Sequence, residues 1–417
     1  MCVSQTNVFM TTLKEDFIMK KAISFAMTVL LAVGCIASVT GCSSKSAGAK
    51  GDVIYVGVYE PASGDNGAGG KQEVLGIEYA NSLNNTVELD GKSYTIELVE
   101  VDNQSSTDKA VSAASELVSK GVSVVIGSYG SGVSIAAADT FADAKVPAIG
   151  ASCTNPSVTD GNEYYYRICF LDPFQGTVMA NYAAESGAKN AYVLAQLGDD
   201  YSVGLATYFQ KAFEALGGTV TYETFPEGTS DFSAYITSAT NAGAEVFFAP
   251  TSTTAASLIL PQAAAANVSY TMMAGDTWES SVILDAAKGT NLNVAVSTFF
   301  DENDDGAAAA EFVKGFKEYL NADKSKLTNN GGNDIVAAVS ALGFDAYNVA
   351  VEAIKAAGSA DSQAVADALP SVNCTGVTGT IKFNEIGDAE KDMAYIKKVN
   401  TQTGAFEFVK TQSVADM

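Results

Sequence analysis

Histidine is absent from the 417 residues, and arginine occurs once, as Arg167. The missing imidazole removes Ser-His and Cys-His nucleophilic pairs, histidine acid–base chemistry and every zinc site that uses a ring nitrogen. Cationic side chains are scarce too: 24 Lys and Arg stand against 48 Asp and Glu, and the resulting charge of −24 offers no basic patch for nucleic acid or for an anionic membrane surface. Cys153, Cys169 and Cys374 form an odd set without CxxC spacing. That pattern argues against a disulfide framework or a zinc site and leaves them as small buried residues. Past residue 42, no apolar run approaches the roughly 20 residues of a membrane helix. What is present, 47% hydrophobic and 17% charged residues, suits a soluble chain with full cores. At this length, two lobes of ordinary size plus a removable leader are the natural reading.

The leader is the most legible segment. Met19-Lys20-Lys21 supplies a positive start, residues 22–37 an apolar run too short to span a bilayer comfortably, and Val39-Thr40-Gly41-Cys42 small residues before a cysteine. That tetrad resembles a bacterial lipobox. Residues 1–41 are therefore expected to be leader, with Met19 as the start of translation and Cys42 as a lipidated N-terminus. Residues 42–51, which include Ser43-Ser44-Lys45-Ser46-Ala47-Gly48, read as a tether. The alternative is an ordinary secretory cleavage site beside a coincidental cysteine. The folded part is expected outside the cytoplasmic membrane and joined to it only through the anchor.

Three motifs invite catalytic or cofactor readings and fail on chemistry. Gly130-Ser131-Gly132 lacks the first glycine of a nucleophile elbow, because Tyr129 stands there, and no histidine exists to activate the hydroxyl. The stretch 127–132 is glycine-rich after an apolar strand, yet it has neither the Gly-Lys-Ser/Thr ending of a P-loop nor GxGxxG order. Asp301, Asn303, Asp305 and Gly306 mimic the start of an EF-hand loop, but Phe312 occupies the place of the bidentate glutamate. That segment reads instead as an acidic turn before a helix with Phe312, Phe316 and Leu320 on one face. No cofactor, metal or enzymatic activity is expected.

From residue 52 onward, apolar strands alternate with helical stretches. The pattern gives strand 53–58, helix 73–83, strand 94–102, helix 108–119 and strand 122–126. It restarts with strand 191–195, helix 202–216 and strands 219–225 and 246–249. Such alternation produces parallel sheets, so the fold class is α/β with two Rossmann-like lobes. No Pro/Gly-rich linker separates them, which suggests several short crossing segments. Open parallel sheets bind ligands beyond the carboxyl ends of their strands, where helix N-termini present free N–H groups. Three junctions qualify: Ile126 into Gly127-Ser128-Tyr129-Gly130-Ser131, Ile149 into Ser152-Cys153-Thr154-Asn155-Pro156, and Met273 into Gly275-Asp276-Thr277-Trp278.

At these junctions the chain resembles the type I periplasmic leucine/isoleucine/valine-binding proteins, the solute receptors of branched-chain amino-acid ABC importers. The resemblance runs in order through Val125-Ile126-Gly127 with Ser131, Thr154-Asn155-Pro156, Arg167 with Asp172 and Gln175-Gly176, Asp200-Tyr201 with Gly204, Asp231-Phe232-Ser233, and Gly275-Asp276. It implies a type I periplasmic binding protein fold with crossovers near residues 172, 299 and 378. The lobes would then be 52–172 plus 300–378 and 173–299 plus 379–417. The ligand implied is a branched-chain or related neutral amino acid. Its carboxylate is held by the hydroxyl and N–H groups at Ser131 and Thr154, and its ammonium by Asp276, the Ser152 carbonyl and Tyr201. Tyr129, Cys153, Ser252 and Trp278 complete the candidate set.

Each position has a plainer alternative: Ser131 as a helix cap, Thr154 as a turn cap, Asp276 as a solvated loop acid, Tyr201 as an ordinary aromatic. Arg167 reads as a brace for the crossover. Where family members carry a pocket aromatic this chain has Gly69, and Tyr129-Gly130 and Ser252-Thr253 replace other walls. The pocket should therefore be wider or more polar than one tuned for leucine. No basic residue is placed to hold a second carboxylate. The resemblance further implies a monomer that binds first through Ser131 and Thr154, closes to bring Tyr201 and Asp276 over the ligand, and engages an importer permease. The same fold also serves ligand-sensing lipoproteins that signal instead of transporting.

Overall fold

The computed structural model describes residues 49–413. The leader and Cys42 lie outside the described residues.

The first sheet is built from β1 (Ala49–Lys50), β2 (Val53–Glu60), α1 (Gly67–Leu83), β3 (Thr86–Leu89), β4 (Lys92–Asp102), α2 (Thr107–Lys120), β5 (Val124–Ile126), α3 (Ser131–Asp143), β6 (Ala148–Gly150) and β7 (Tyr165–Arg167). Its strand order is β3-β4-β2-β5-β6-β7, with β1 paired antiparallel to β2. The chain then enters α4 (Asp172–Glu185), β8 (Asn190–Gln196), α5 (Asp200–Ala215), β9 (Thr219–Phe225), α6 (Ser233–Asn241), β10 (Val246–Phe248), α7 (Thr253–Ala265), β11 (Thr271–Ala274), α8 (Ser281–Ala287) and β12 (Val294–Thr298). It returns through α9 (Ala307–Asn321), α10 (Lys324–Asn329), α11 (Ala338–Ala357), α12 (Ser362–Ala368) and the hairpin β13 (Asn373–Gly376) with β14 (Gly379–Lys382). It ends in β15 (Met393–Asn400) and β16 (Ala405–Ser413), which complete a second sheet ordered β16-β15-β12-β11-β10-β8-β9.

Alternation along each strand explains why both sheets are covered on two faces. In β2, Ile54, Val56 and Val58 join the core shared with α1 and α11, whereas Tyr59 faces the core under α2 and α3. In β8, Ala191, Val193 and Ala195 pack toward α4 and α5, while Tyr192 and Leu194 pack toward α6, α7 and α8. A period of two with helices on both faces yields nearly continuous apolar strands, the pattern of buried parallel sheet. The antiparallel pairs β3–β4, β12–β15 and β15–β16 lie toward the sheet margins.

The chain passes from the first sheet to the second between β7 and α4, returns after β12, and crosses again before β15. This last passage falls later than residue 378, because the segment after β14 stays with the first sheet. Arg167 in β7 bridges Asp388, and its Nε lies 2.7 Å from the Asp388 carboxylate. The same guanidinium donates to the carbonyls of Cys153 and Asn155 and, at 2.9 Å, to Thr159 Oγ1. The sole arginine therefore braces both a crossover and the Ser152–Asn155 turn, work that suits a planar fork of donors.

Candidate ligand-binding site

Each sheet reverses its winding once, at β2/β5 in the first and β8/β10 in the second. At such points the connections leave the strand ends in opposite directions and open a crevice. The segments leaving β2, β4 and β5 on one side, and β8, β10 and β11 on the other, frame one small cavity of about 50 Å³.

On the first side, Ser131 opens α3 as its first helical residue, with Gly130 in the capping place and no side-chain cap. Ser131 is thus not the cap that terminates its own helix. Its Oγ instead accepts from the Asn155 main-chain N–H at 3.3 Å, tying the second junction to the first. The first N–H groups of a helix have no partner within it and carry its positive end, so this position favours an anion. Thr154 is fully buried, and its Oγ1 meets no partner in hydrogen-bonding geometry. The Asp172 carboxylate lies beside this hydroxyl: burial holds that acid well above the usual carboxyl range, and Thr154 pulls the other way. Ser152 donates its hydroxyl to the Glu73 carboxylate.

On the second side, Asp276 follows β11 in a short 3-10 turn and is buried. Its Oδ1 accepts from Gln175 Nε2 at 2.8 Å and from the Tyr201 hydroxyl at 3.1 Å. Burial lifts its carboxyl to about 6, with the Gln175 and Tyr201 bonds pulling the other way. Among the described residues no lysine or arginine pairs with it, so it is a buried acid without a cationic partner. Tyr201 lies near Thr277 Oγ1 as well, at 3.2 Å, and Thr277 donates to the Thr251 carbonyl at 2.9 Å.

Of the residues expected from sequence, Tyr129, Ser131, Tyr201 and Ser252 line the cavity, and Asp276 stands directly behind Tyr201. Ser152 and Thr154 lie outside its lining, as do Cys153 and Trp278, whose side chains are in the core. Cys153 packs in the core under α2 and α3. Trp278 is wholly buried beneath α7 and α8, where its Nε1 donates to Thr251 Oγ1 at 3.3 Å. Each of these positions borders a candidate residue in sequence, but its side chain alternates toward the core.

Sequence reasoning overlooked several contributors. Gln175, present in the sequence as part of a family motif but given no role there, fixes Asp276 and also reaches Ser297 at 3.1 Å. Glu60 and Glu73 are wholly buried acids. Burial lifts Glu73 to about 7, and burial followed by the nearby Glu73 holds Glu60 well above the usual carboxyl range. One signal was available for Glu60: an acid closing an otherwise apolar strand. Its Oε2 accepts from the Tyr129 N–H at 2.7 Å.

The two sides also touch through protein groups alone. The Asp65 carbonyl accepts from the Thr253 and Thr254 hydroxyls, at 3.0 and 3.1 Å, and from the Thr254 N–H at 3.2 Å. Asn155 Nδ2 donates to the Asp200 carbonyl at 2.7 Å.

Two α/β sheets meeting at their strand ends, with hydroxyl and helix-terminal donors on one and a buried acid on the other, define a two-lobed binding protein. The chain belongs to the periplasmic binding protein family, which it matches over residues 53–403, within the type I group related to branched-chain amino-acid receptors. It is 29% identical over 339 residues to Leu/Ile/Val-binding protein homolog 1 of Brucella abortus, covering 80% of this chain and 87% of that one. It is 26% identical to a leucine-, isoleucine-, valine-, threonine- and alanine-binding protein of Pseudomonas aeruginosa, covering 84% and 90% of the two chains. A crystal structure of a leucine-binding protein from Thermotoga maritima superposes with a TM-score of 0.79 at 30% identity, covering 87% of this chain and all of that one.

Proposed function

We propose that the protein is an extracytoplasmic, lipid-anchored receptor that captures a neutral amino acid between its lobes and delivers it to an ABC importer. One observation carries this reading: Asp276, buried without a cationic partner among the described residues, accepts from the hydroxyl of Tyr201, which lines the cavity together with Ser131 at the N-terminus of α3. A zwitterion matches that polarity at both ends. The relatives support the ligand class through what they are named for binding. Among the described residues no helix is long and apolar enough to cross a membrane, and attachment is assigned to Cys42. Domain limits follow the crossovers, with 52–172 and 173–299 supplying the two walls.

Capture proceeds without covalent chemistry. The carboxylate settles against Ser131 and Thr154, the ammonium against Asp276, Tyr201 and the Ser152 carbonyl, and closure excludes water and strengthens each contact. Titration of the mature protein with the common amino acids, read by Trp278 fluorescence and by melting temperature, tests this. Saturable binding of at least one of them is expected. No response to any would remove the ligand class. Radiolabelled palmitate should enter the wild-type precursor and not a Cys42→Ala variant.

A further inference from the structure

The groups assigned to the ammonium and carboxylate leave other polar atoms on the cavity wall unused. Asn66 lines the cavity from the loop before α1, its main-chain N–H fixed to Ser105 Oγ at 3.0 Å. Its side chain caps nothing, and its buried Oδ1 has no hydrogen-bond partner within the protein. Across the cleft Ser252 also lines the cavity. Its Oγ accepts from Ala255 N–H at 3.2 Å to cap α7, and its hydroxyl proton is given to no acceptor in the protein. One wall thus offers an acceptor and the other a donor. Aliphatic lining is confined to Pro61 and Val133, and no lysine or arginine lines the cavity.

We propose that Asn66 and Ser252 form the side-chain subsite of the cleft and select an uncharged hydrogen-bonding side chain, a hydroxyl or a carboxamide, over a branched aliphatic one. The inference rests on the reading of the cleft as an amino-acid site. A hydroxyl or amide N–H can donate to Asn66 Oδ1 while its oxygen accepts from Ser252. An aliphatic side chain leaves both buried groups unpaired, which a site built for hydrogen bonding penalises heavily. A side-chain carboxylate meets the Asn66 carbonyl with nothing to donate, and the acids Asp199 and Asp200 line the opposite wall. A side-chain ammonium has no use for the Ser252 donor.

Equilibrium titration of the mature protein with Ser, Thr, Asn and Gln against Val, Leu, Ile and Lys decides the matter. The tightest ligand should be one of the first four, preferred over leucine by at least about tenfold. Asn66→Leu breaks no side-chain hydrogen bond of the free protein, so folding should persist in a circular-dichroism melt. The variant should lose most of that preference while binding leucine as well as or better than wild type. Tightest binding of Val, Leu, Ile or Lys, or a preference unchanged in the variant, would overturn the subsite. Binding of none of the eight, with the protein folded, would instead sink the amino-acid reading beneath it.

Discussion

A Cβ placed on Gly69 would lie 2.3 Å from Cζ of the Tyr129 ring, so the two positions compete for one volume. Tyr129 is buried against Ala337 and Val339 at the start of α11, and its ring fills the space a side chain at position 69 would claim. Gly69→Ala should therefore force Tyr129 aside and cost about 1–3 kcal/mol of stability. Adding Tyr129→Leu should recover most of the loss. Chemical denaturation of the three variants checks this, and a Gly69→Ala protein as stable as wild type would show that the ring has room to yield.

Asp276 gives ligand binding a pH dependence. Its carboxyl, lifted to about 6 by burial, must be ionised to hold an ammonium, so protons compete with ligand below that value. Affinity should fall about tenfold from pH 7 to pH 5. Calorimetry across this range should also show proton release on binding at the acid end. Asp276→Ala should abolish binding with the fold intact; unchanged affinity would remove this residue from the site.

The free protein should show stability of the opposite slope. Burial lifts Asp276 and Asp199 to about 6 and Glu73 to about 7, so between pH 4 and pH 7 the folded state holds protons that the unfolded chain has released. Stability therefore falls as pH rises through that window. Melting temperatures without ligand should be higher near pH 5 than near pH 7.5. Saturating amino acid should raise the pH 7.5 value more than the pH 5 one, because it compensates the ionised Asp276.

Removing the guanidinium of Arg167 strands the buried Asp388 carboxylate and frees the turn that carries Ser152 and Thr154. Arg167→Ala should cost about 3–5 kcal/mol. Arg167→Lys should recover little, since one ammonium cannot serve Asp388, two carbonyls and Thr159 together. Urea titration measures the first effect. Where the variant remains folded, ligand affinity should also fall.

Much of this was legible in the chain before folding. Strand 219–225 coincides with β9, and helix 108–119 lies within α2 because its apolar residues keep a helical period beside polar ones. The start of α1 was hidden. Gly67, Gly69 and Gly70 are poor helix formers, and a Cβ on Gly70 would meet the Pro61 carbonyl at 2.2 Å, so tertiary closeness dictates what propensity disfavours. The twenty-residue α11 is buried on most of its faces, which removes the amphipathic signal. At the site, Ser131 and Tyr201, which line the cavity, and Asp276 behind Tyr201 follow strand ends, a placement that strand order suggests. The roles of Gln175, Glu73 and Asn66 arise only when distant segments face one another, and no local spacing announces that.

The Asp65 carbonyl collects three donors from the start of α7, all of them protein groups. These bonds are available to an unloaded receptor as fully as to a loaded one. They lower the work of shutting and lengthen the residence of whatever is inside, yet they carry no news of occupancy. A transporter that read only the pinched outline would spend ATP on idle cycles. On the function proposed above, thrift then depends on how much further the cargo tips the balance, and the buried acid at Asp276 is the group assigned that difference.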